Sequence, residues 1–558
     1  MKRKIISLVL SLLLITFLQS LTTANAEDSW FADDAAPFGK LGLVWVEDVL
    51  GGNGLTNAIN YQTSTICSSL DDANCQSGNV QVDIMLPPCS STLLESCVEG
   101  LEVGQKIGNS SVMTAGKLFR TIDGDKFPAS QKFGVPAGGT TGIWTVPGQK
   151  NSAGNELYSV AARIQYQIVN GITTLYGFQS SVVPIRIKDS QSAQRMQMAI
   201  VKDGPNSVIV HEYHVGDCVW QEVGKCAVAV RWSKDSIATL KLRVPNQVTG
   251  WLYGRLSHPS ISVNPIDSKQ NSLTISASPI TVQGSKPLVD VNAIPQPLLD
   301  VLTSHGSNPL RTYGNYANGG YVWQIPTDIS DFSWFEQWKP FTKDKADALL
   351  DYWNLKSVPN NNSMGANCLK KSNELVGLVT SNSLWYTGQA PTFDGSNLNY
   401  EVASLHYNPD GKSPFLGTYD LVMRSDAARC LYGFNSAPVS AKISIVSADG
   451  APQVATSVLS ENNGWLSLSA SNFTFSSPKI QVQLSQSAEA SNAVIESSSQ
   501  AKPLENSVGS NKQTDIINQG QADSLKQKKL KIVCQKGKTR KIATGLKPKC
   551  PVGYNVVK

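Results

Sequence analysis

The chain of 558 residues is poor in charge and in histidine, and both shortages limit the chemistry that its side chains can supply. Charged residues make up 16% of the sequence, and there are only five histidines. The sequence contains no Gly-x-Ser-x-Gly nucleophile motif and no glycine-rich phosphate-binding loop. A serine hydrolase of that class and a nucleotide-binding enzyme are therefore not indicated, and we predict no cofactor and no catalytic residues.

Apolar runs long enough to span a membrane are missing after the N-terminus. The N-terminus has basic residues at positions 2–4, an apolar run over residues 5–21, and then Ala24-Asn25-Ala26. This order is typical of a secretory signal peptide that is cleaved after Ala26. A permanent membrane anchor fits less well, because the run contains serine, threonine and glutamine. We expect an extracellular protein, secreted or associated with the cell envelope, without a transmembrane span in its mature chain.

The ten cysteines are even in number, which in an exported chain is typical of a disulfide framework. From their spacing we predict the pairs Cys67/Cys75, Cys89/Cys97, Cys218/Cys226, Cys368/Cys430 and Cys534/Cys550. A crosswise pairing of the first four cysteines is an alternative that spacing does not exclude.

Two short segments contain residue types that bind metals. His211 and His214 precede two cysteines, but on a strand these histidines point to opposite faces. Cysteines of an exported protein are also oxidised rather than metal-bound. The segment Asp123-Gly124-Asp125 has two carboxylates, whereas calcium needs six or more oxygens. We therefore predict no metal site.

Alternation of apolar and polar residues predicts β-strands through most of the chain. In residues 158–168 the even positions are apolar and the odd positions are mostly polar, and residues 80–84, 239–244 and 273–277 repeat the pattern. Short strands separated by turns are typical of β-sandwiches. We predict a mainly β fold of tandem antiparallel sandwich-like domains, with a small helical insertion in the third domain.

Composition and periodicity divide the chain into six segments. After the signal peptide (1–26) we predict a β-rich domain (27–189), a β-sandwich-like domain (190–284), an α+β or β-sandwich domain with an aromatic-rich helical insertion (285–484), a disordered linker (485–529) and a basic two-cysteine module (530–558). The linker is assigned because its polar sequence cannot bury enough apolar surface to fold.

The densest aromatic segment, residues 313–353, is the main candidate for a ligand site. It contains eleven Phe, Tyr and Trp residues. We predict a surface that stacks on a sugar or a peptide, formed by Trp323, Trp334, Trp338, Tyr316 and Tyr321. The alternatives are core packing and a contact with another protein, since Trp and Tyr are enriched at interfaces.

A helix is predicted over residues 342–355, with Thr342 as N-cap and apolar residues at helical spacing. Six acidic residues accompany the aromatic segment, namely Asp328, Asp331, Glu336, Asp344, Asp347 and Asp351. Paired carboxylates beside aromatic rings are characteristic of glycoside hydrolases, so a carbohydrate-active enzyme is the alternative function. The last three acidic residues, however, fit the solvated face of the predicted helix.

The C-terminal tail is strongly basic. Eleven basic residues and no acidic residue follow Ser524, whereas acidic residues outnumber basic ones in the rest of the mature chain. We predict binding to an anionic envelope polymer or membrane surface through Lys531, Lys536, Lys538, Arg540, Lys541, Lys547 and Lys549. A solubilising or sorting appendage is the alternative. Nucleic acid is not a predicted partner, because the tail has no interleaved aromatic residues and export removes the target.

Two segments resemble exported proteins of actinobacteria. Lys536-Gly537-Lys538, followed by Lys547-Pro548-Lys549-Cys550-Pro551-Val552-Gly553-Tyr554, resembles a short C-terminal module of many such proteins. Arg429-Cys430-Leu431-Tyr432-Gly433-Phe434 resembles a segment of large uncharacterised secreted proteins from the same bacteria. The resemblance implies a cell-surface or secreted protein and brings no activity with it. We therefore predict a non-enzymatic role in adhesion, wall association or binding of a glycan or protein ligand.

Removal of residues 525–558 tests the tail. A chain that ends at Ser524 should lose the low-salt binding to purified actinobacterial envelopes that the whole chain shows, because each Lys or Arg near a charged surface contributes about 1 kcal/mol. Sedimentation of both chains with envelopes at low and high salt measures this loss. Equal low-salt binding by the two chains would contradict the predicted role of the tail.

Overall fold

The structure is a computed structural model. It describes residues 43–49, 59–67, 69–71, 79–90, 95–107, 110–122, 126, 128–140, 142–194, 198–202, 208–212, 218–284, 288–290, 296, 320–322, 335–336, 339–358, 368, 374–387, 390–435, 440–446, 452–453, 456–475, 479–485, 530–536, 539–545 and 555–557. The chain divides into two compact units, residues 1–495 and residues 496–558.

Strands make up most of the described chain. The first eighteen are β1 (Leu43–Val49), β2 (Ile59–Cys67), β3 (Asn79–Met85), β4 (Cys97–Ile107), β5 (Ser110–Ala115), β6 (Lys117–Thr121), β7 (Gly142–Thr145), β8 (Leu157–Val169), β9 (Ile172–Asp189), β10 (Met198–Lys202), β11 (Val208–Glu212), β12 (Cys218–Glu222), β13 (Lys225–Ala229), β14 (Ser236–Pro245), β15 (Gly250–Arg255), β16 (Ser257–Pro265), β17 (Gln270–Ser278) and β18 (Ile280–Gly284). The others are β19 (Leu288–Asp290), β20 (Gly320–Val322), β21 (Ala348–Tyr352), β22 (Asn354–Ser357), β23 (Leu375–Ser381), β24 (Trp385–Tyr386), β25 (Thr392–Phe393), β26 (Leu398–Ala403), β27 (Leu416–Arg424), β28 (Ser440–Val446), β29 (Pro452–Gln453), β30 (Thr456–Asn462), β31 (Trp465–Thr474), β32 (Lys479–Ser485), β33 (Leu530–Lys536), β34 (Thr539–Gly545) and β35 (Asn555–Val557).

Three sheets form most of the first unit. The largest runs in the order β2-β1-β3-β8-β9-β22-β15-β23-β27-β31-β30, with β6, β7, β12 and β13 attached beside this path. A five-stranded sheet has the order β16-β17-β14-β4-β5. A six-stranded sheet has the order β24-β26-β32-β28-β29, with β25 paired to β26. The pairings are antiparallel except for the parallel pair β15 and β23, so the predicted mainly β, antiparallel fold class is confirmed.

Two hydrophobic cores lie on opposite faces of the large sheet. Leu252 of β15 belongs to the core shared with the five-stranded sheet, whereas Trp251 and Tyr253 belong to the core shared with the six-stranded sheet. This division follows from the strand geometry, because successive side chains point to opposite faces. Every residue of β15 and β23 is buried, as expected of strands covered on both sides. The first unit is therefore built from three layers of β-sheet.

The long hairpin of β8 and β9 turns at Asn170 and Gly171, whose φ angles are 51° and 77°. Two consecutive residues with positive φ are typical of the type I′ turn that Asn-Gly favours. The even-numbered residues from Tyr158 to Ile168 all pack in the core, as their alternation predicted. Ser159 and Arg163 on the opposite face are buried as well, so this part of β8 is covered on both sides.

The five-stranded sheet also follows its predicted alternation. Leu240 and Leu242 of β14 face the core. On the other face, Lys241 lies 2.5 Å from Glu102, and Arg243 lies 3.1 Å from Glu99 of the neighbouring β4. One face of the sheet is thus apolar and the other carries cross-strand ion pairs, as in a sheet that covers a core and faces water.

The prediction of a helix over residues 342–355 is wrong. The structure has a 3₁₀ helix at Lys339–Thr342 and then the strands β21 and β22. β22 pairs with β9 on one side and with β15 on the other, and β21 pairs with β18. The apolar residues at helical spacing therefore take part in strand pairing or pack in the core. These tertiary contacts outweigh the local helical pattern.

Trp353, which lies between these two strands, is part of the core. Its side chain is 1% exposed, and its indole N–H donates to the carbonyl oxygen of Ala277 at 3.0 Å. The N–H is thereby satisfied where water cannot reach it, as buried polar groups require.

The α-helix whose whole length the structure describes, α1, spans Ser425–Tyr432. It ends at Gly433, whose φ of 68° is left-handed, and the N–H of Phe434 donates to the carbonyl of Arg429. This is a common way to satisfy the last carbonyls of a helix. Within the described part of the chain, no helix has the length and apolar character of a membrane span.

Three of the predicted disulfides are present, namely Cys89–Cys97, Cys218–Cys226 and Cys368–Cys430. The first of these excludes a crosswise pairing of the first four cysteines. Cys75 and Cys550 lie outside the described residues. Oxidised cysteines are rare in the cytosol, so the disulfides are consistent with a non-cytoplasmic protein.

Strand pairing in the large sheet runs across the predicted boundaries after residues 189 and 284, because β9, β22 and β15 are neighbours. The second unit has a three-stranded sheet in the order β34-β33-β35. Cys534 is opposite Lys541 in this sheet, and Gln535 is opposite Arg540.

Replacement of Trp353 tests its place in the core. Trp353→Ala should lower the free energy of unfolding by about 3–5 kcal/mol, because a large buried side chain leaves a cavity and the carbonyl of Ala277 loses its donor. Denaturant unfolding of the variant and the unchanged chain measures the difference. Val223→Ala is the control, because this side chain is 79% exposed; an equal loss in both variants would contradict the assignment.

Candidate functional site

Most of the aromatic residues that are predicted to bind a ligand lie outside the residues that the structure describes. Trp323, Trp334, Trp338 and Tyr316 lie outside the described residues, and Tyr321 is described only as part of the backbone of β20. Their role as a stacking surface stays a prediction.

Two other rings of the same segment fill the core. Phe335 is 1% exposed, and its ring centre lies 5.3 Å from that of the buried Trp385. Trp353 is equally buried. A ligand cannot stack on rings that are covered in this way, so these two residues serve packing.

The acidic residues of the segment are not arranged as a solvated helix face. Asp351 lies on β21 and accepts hydrogen bonds from Arg231 at 3.0 Å and from Thr281 at 2.9 Å. Glu336 is exposed, and Asp328 and Asp331 lie outside the described residues.

Asp344 is held by His406. The ring nitrogen Nδ1 of His406 lies 2.5 Å from Asp344 Oδ2, and the backbone N–H of the same histidine donates to Oδ1 at 3.0 Å. Lys339 lies 3.6 Å from the same carboxylate. Both oxygens of Asp344 thus connect the turn after the 3₁₀ helix to the loop between β26 and β27. This gives no support for a glycosidase pair built on this residue.

A Ser-His-Asp arrangement occurs near β16 but lacks the geometry of a catalytic triad. Ser257 Oγ lies 2.7 Å from Nδ1 of His258. The buried Asp420, however, accepts the backbone N–H of His258 at 3.0 Å and the hydroxyl of Thr380 at 3.1 Å. A triad needs the carboxylate on the histidine ring, so Asp420 serves here to hold the main chain.

The sulfurs considered as zinc ligands are bonded to each other in Cys218–Cys226. Among the described residues, no group of three or more His, Cys, Asp and Glu side chains could hold a metal ion. His214 and the segment 123–125 lie outside the described residues.

An open groove of about 690 Å³ is lined by residues that the structure describes. Ligand sites commonly have volumes of about 300–1,000 Å³. One wall is formed by the end of β14 and the hairpin of β16 and β17; the other is formed by the start of β23, the first turn of α1 and the turn between β30 and β31. The groove therefore lies between the five-stranded sheet and the large sheet.

Trp465 is the aromatic ring of the groove. It follows the turn Asn463-Gly464, whose φ angles are 49° and 78°, and it pairs with Asn462 at the closed end of the hairpin. The sequence Asn-Gly between two strands is the strongest local signal for such a turn. The ring is half-buried, because it packs against the core and also lines the groove.

Two further amide side chains line the groove together with this ring. Asn271 of β17 is half-buried and Asn463 is exposed, and both line the groove. A third amide, that of Asn246, donates to the carbonyl of Ser268 at 2.7 Å. This hydrogen bond fixes the loop between β16 and β17. Asn271 and Asn463 therefore present amide groups that can donate and accept hydrogen bonds to a ligand.

Arg424 is the central cation of the groove and is already paired. It forms ion pairs with Glu374 and with Asp426, and its Nε lies 2.9 Å from Asp426 Oδ1. The side chains of the two acids are 63% and 66% exposed. Burial raises the pKa of Asp426, but hydrogen bonding and the charge of Arg424 outweigh it, so this pKa lies below its usual range.

Arg429 of α1 is paired as well. Its two terminal nitrogens donate to the two carboxylate oxygens of Glu461 at 2.7 and 2.8 Å. Such a bidentate pair fixes the orientation of the guanidinium. Because both arginines of the groove are neutralised and Asp267 also lines it, the groove surface presents more negative than positive unpaired charge.

The basic residues of the tail are described only as backbone. Lys531 and Lys536 lie on β33, and Arg540 and Lys541 lie on β34. Lys538, Lys547 and Lys549 lie outside the described residues. Their binding to an anionic surface stays a prediction.

The pair Arg429–Glu461 should make stability depend on acid pH. The hydrogen bond from Arg429 lowers the pKa of Glu461 below its usual range. The ion pair therefore contributes fully to the free energy of unfolding above the ordinary pKa of about 4.3, and this contribution is lost as the pH falls through the lowered pKa. Glu461→Gln should therefore cost up to about 1 kcal/mol at neutral pH, and the difference should shrink in acid.

Denaturant unfolding at pH 7 and in acid measures this difference. The matched control is Glu401→Gln, since Glu401 is exposed and has no salt bridge to a residue that the structure describes. A loss for Glu461→Gln that is the same at both pH values would contradict the role of the ion pair.

No protein-family model matches the sequence, and neither a curated protein nor a solved structure matches it. Among the described residues, the groove is where an accessible ring, amides and carboxylates meet.

Proposed function

We propose that the protein is a secreted, envelope-associated binding protein whose groove holds a neutral, hydroxyl-rich ligand such as a glycan. The observation that carries this proposal is that Trp465, Asn271 and Asn463 line the same open groove. A flat apolar ring can pack on the face of a sugar, and amide groups can donate to and accept from its hydroxyls.

The charge of the groove supports a neutral ligand over an anionic one. Arg424 and Arg429 are each held by carboxylates of the chain. An anionic ligand could bind them only by displacing these partners, while Asp267 and the exposed side of Asp426 would repel it. The body thus fits a different ligand from the basic tail, which suits anionic polymers.

The groove also supports binding over glycoside hydrolysis. Hydrolysis of a glycoside requires one carboxyl group that keeps its proton near neutral pH, and such an acid has a raised pKa. Asp426 has a lowered pKa instead, because Arg424 stabilises its charged form. The same guanidinium also holds Glu374.

In this proposal the two units have separate tasks. The basic C-terminal unit attaches the protein to anionic envelope polymers, and the body binds a neutral glycan of the same or a neighbouring surface. Adhesion or wall association follows from the two contacts together.

Replacement of Trp465 tests the groove. Trp465→Ala should weaken retention on neutral polysaccharides about tenfold, which corresponds to about 1.4 kcal/mol, because it removes the aromatic ring from the lining of the groove. Affinity electrophoresis in gels that contain neutral or anionic polysaccharides measures this, with chains that end at Ser524 so that the tail does not contribute.

Tyr176→Ala is the matched control, since this ring is 42% exposed and does not line the groove. It should bind like the unchanged chain. Retention by anionic gels alone, or equal retention of Trp465→Ala and the unchanged chain, would overturn the assignment of the groove.

A further inference from the structure

The large sheet carries a buried arginine whose charge is not balanced. Arg163 of β8 is 9% exposed. Among the residues that the structure describes, none accepts a hydrogen bond from its Nε, and no described carboxylate forms an ion pair with its guanidinium. Removing a charge from water is strongly unfavourable, and folded proteins therefore pair buried charges with a counter-charge or with hydrogen-bond acceptors. Arg163 thus marks a position where an acceptor is missing.

A second buried arginine of the same sheet has its acceptors. Arg255 of β15 is fully buried, and its guanidinium donates to the backbone carbonyls of Ser381, Ser383 and Leu384. Buried polar groups are satisfied in this way in most proteins. The corresponding acceptors of Arg163 are not found in the described part of the chain.

Strand register places Arg163 in a row of side chains that crosses four strands. Arg163 is opposite Gln179 of β9. Gln179 is in turn opposite Lys356 of β22, and Lys356 is opposite Tyr253 of β15. Residues that pair directly point to the same face, which here is the face of the core shared with the six-stranded sheet. Arg163 and Lys356 therefore flank Gln179, with their Cα atoms about 10 Å apart, because neighbouring strands are about 4.8 Å apart.

A buried hydroxyl lies in the next row of the same face. Ser181 of β9 is opposite Ala161 on one side and Asn354 on the other. Its side chain is 1% exposed, and its Oγ has no hydrogen-bond partner among the described residues. Ser181 and Arg163 are diagonal neighbours, whose Cβ atoms are about 7–8 Å apart in such a sheet. Two unsatisfied hydrogen-bonding groups are thus close together.

Lys356 lies at the border of the six-stranded sheet. Its Nζ is 5.5 Å from the ring centre of Tyr386 in β24, and this ring stacks on Tyr253 with the centres 3.4 Å apart. Gln179 and Lys356 are half-buried, whereas Arg163 is buried. A small solute can therefore reach the row over Gln179, and Arg163 forms its inner end.

The charges of these two rows are positive. Arg163 and Lys356 belong to the first row, and Arg255, which is opposite Asn354, belongs to the second. No acidic residue is paired into either row among the described strands. The nearest acidic residue by register is Asp83 of β3, which lies one row further along. The rows therefore favour a negatively charged solute.

We propose that Arg163, Gln179, Ser181 and Lys356 form a binding site for a small oxyanion, a carboxylate or a phosphate group. The guanidinium of Arg163 donates to two oxygens of the anion, as in other bidentate arginine pairs. Lys356 supplies the second positive charge, and the amide of Gln179 and the hydroxyl of Ser181 donate further hydrogen bonds. The site is separate from the groove, which lies on the other face of the large sheet.

Denaturant unfolding of the whole chain in phosphate, in malonate and in chloride of equal ionic strength tests the proposal. An anion that binds only the folded chain raises the midpoint as its concentration rises. The midpoint should therefore rise with phosphate or malonate beyond the value in chloride, and the anion that acts at the lower concentration identifies the bound group. Tryptophan fluorescence reports the body alone, because residues 496–558 contain no tryptophan. No rise with either oxyanion would overturn the proposal.

Two variants locate the site. Arg163→Met should lose the response to oxyanions, and in chloride it should unfold at the same or a higher denaturant concentration than the unchanged chain, because an apolar side chain removes the cost of the buried charge. Lys356→Gln should need an about tenfold higher anion concentration for the same response. Arg243→Met is the matched control and should respond like the unchanged chain, since Arg243 pairs with Glu99 on the five-stranded sheet.

A full response of Arg163→Met or of Lys356→Gln would overturn the proposal. So would a loss of stability in Arg163→Met that is equal in chloride and in the oxyanions, because Arg163 would then be balanced within the chain.

Asp83→Asn separates the bound anion from an ion pair within the chain. In the proposed site this variant should keep the midpoint in chloride and respond at a lower oxyanion concentration, because a nearby negative charge is removed. If Arg163 and Asp83 were partners, Asp83→Asn and Arg163→Met would lower the midpoint in chloride by equal amounts. Equal losses would overturn the proposal.

Discussion

Strand β22 pairs with β9 on one side and with β15 on the other, so four residues connect the two parts of the large sheet. Trp353 precedes this strand and anchors it to β17 through the hydrogen bond to Ala277. Without β22, the strands from β1 to β9 would have no hydrogen-bonded neighbour on the path toward β15, β23 and β27. The pairing of β22 completes the large sheet, and the five- and six-stranded sheets cover opposite faces of this sheet. The three layers of the first unit therefore depend on the pairing of β22.

The same layering creates the groove. Its walls are formed by the ends of two packed sheets. Local hydrogen bonds hold the residues of each wall in place. The turn at Asn463-Gly464 sets the position of Trp465, and its Gly464 carbonyl accepts the N–H of Ser425 at the start of α1. A ring held in place before a ligand arrives loses little freedom on binding. Ion pairs within the groove neutralise its arginines, and the proposal of a neutral ligand for the groove is based on this.

Much of the fold could be predicted from the sequence, whereas the groove could not. Alternation in β8, β14 and β17 indicated strands because each of these strands has an apolar face toward one core. The helical period at residues 346–353 was misleading, since strand pairing with distant residues decided the structure there. Arg424 and Trp465 are neighbours because β27 pairs with β31, and Asn271 of β17 joins them in the groove only when the five-stranded sheet packs on the large sheet. The sequence Asn463-Gly464 is a local signal for a hairpin turn, and it does not indicate a ligand.

Because β22 joins the two parts of the large sheet, we expect the sheet to unfold as a single cooperative body. Native-state hydrogen exchange of the unchanged chain in rising denaturant measures this. The slowest amides of β8 and β9 and those of β15, β23 and β27 should converge on one global opening reaction with a common free energy. Two groups of amides that open at different denaturant concentrations, divided at β22, would contradict it.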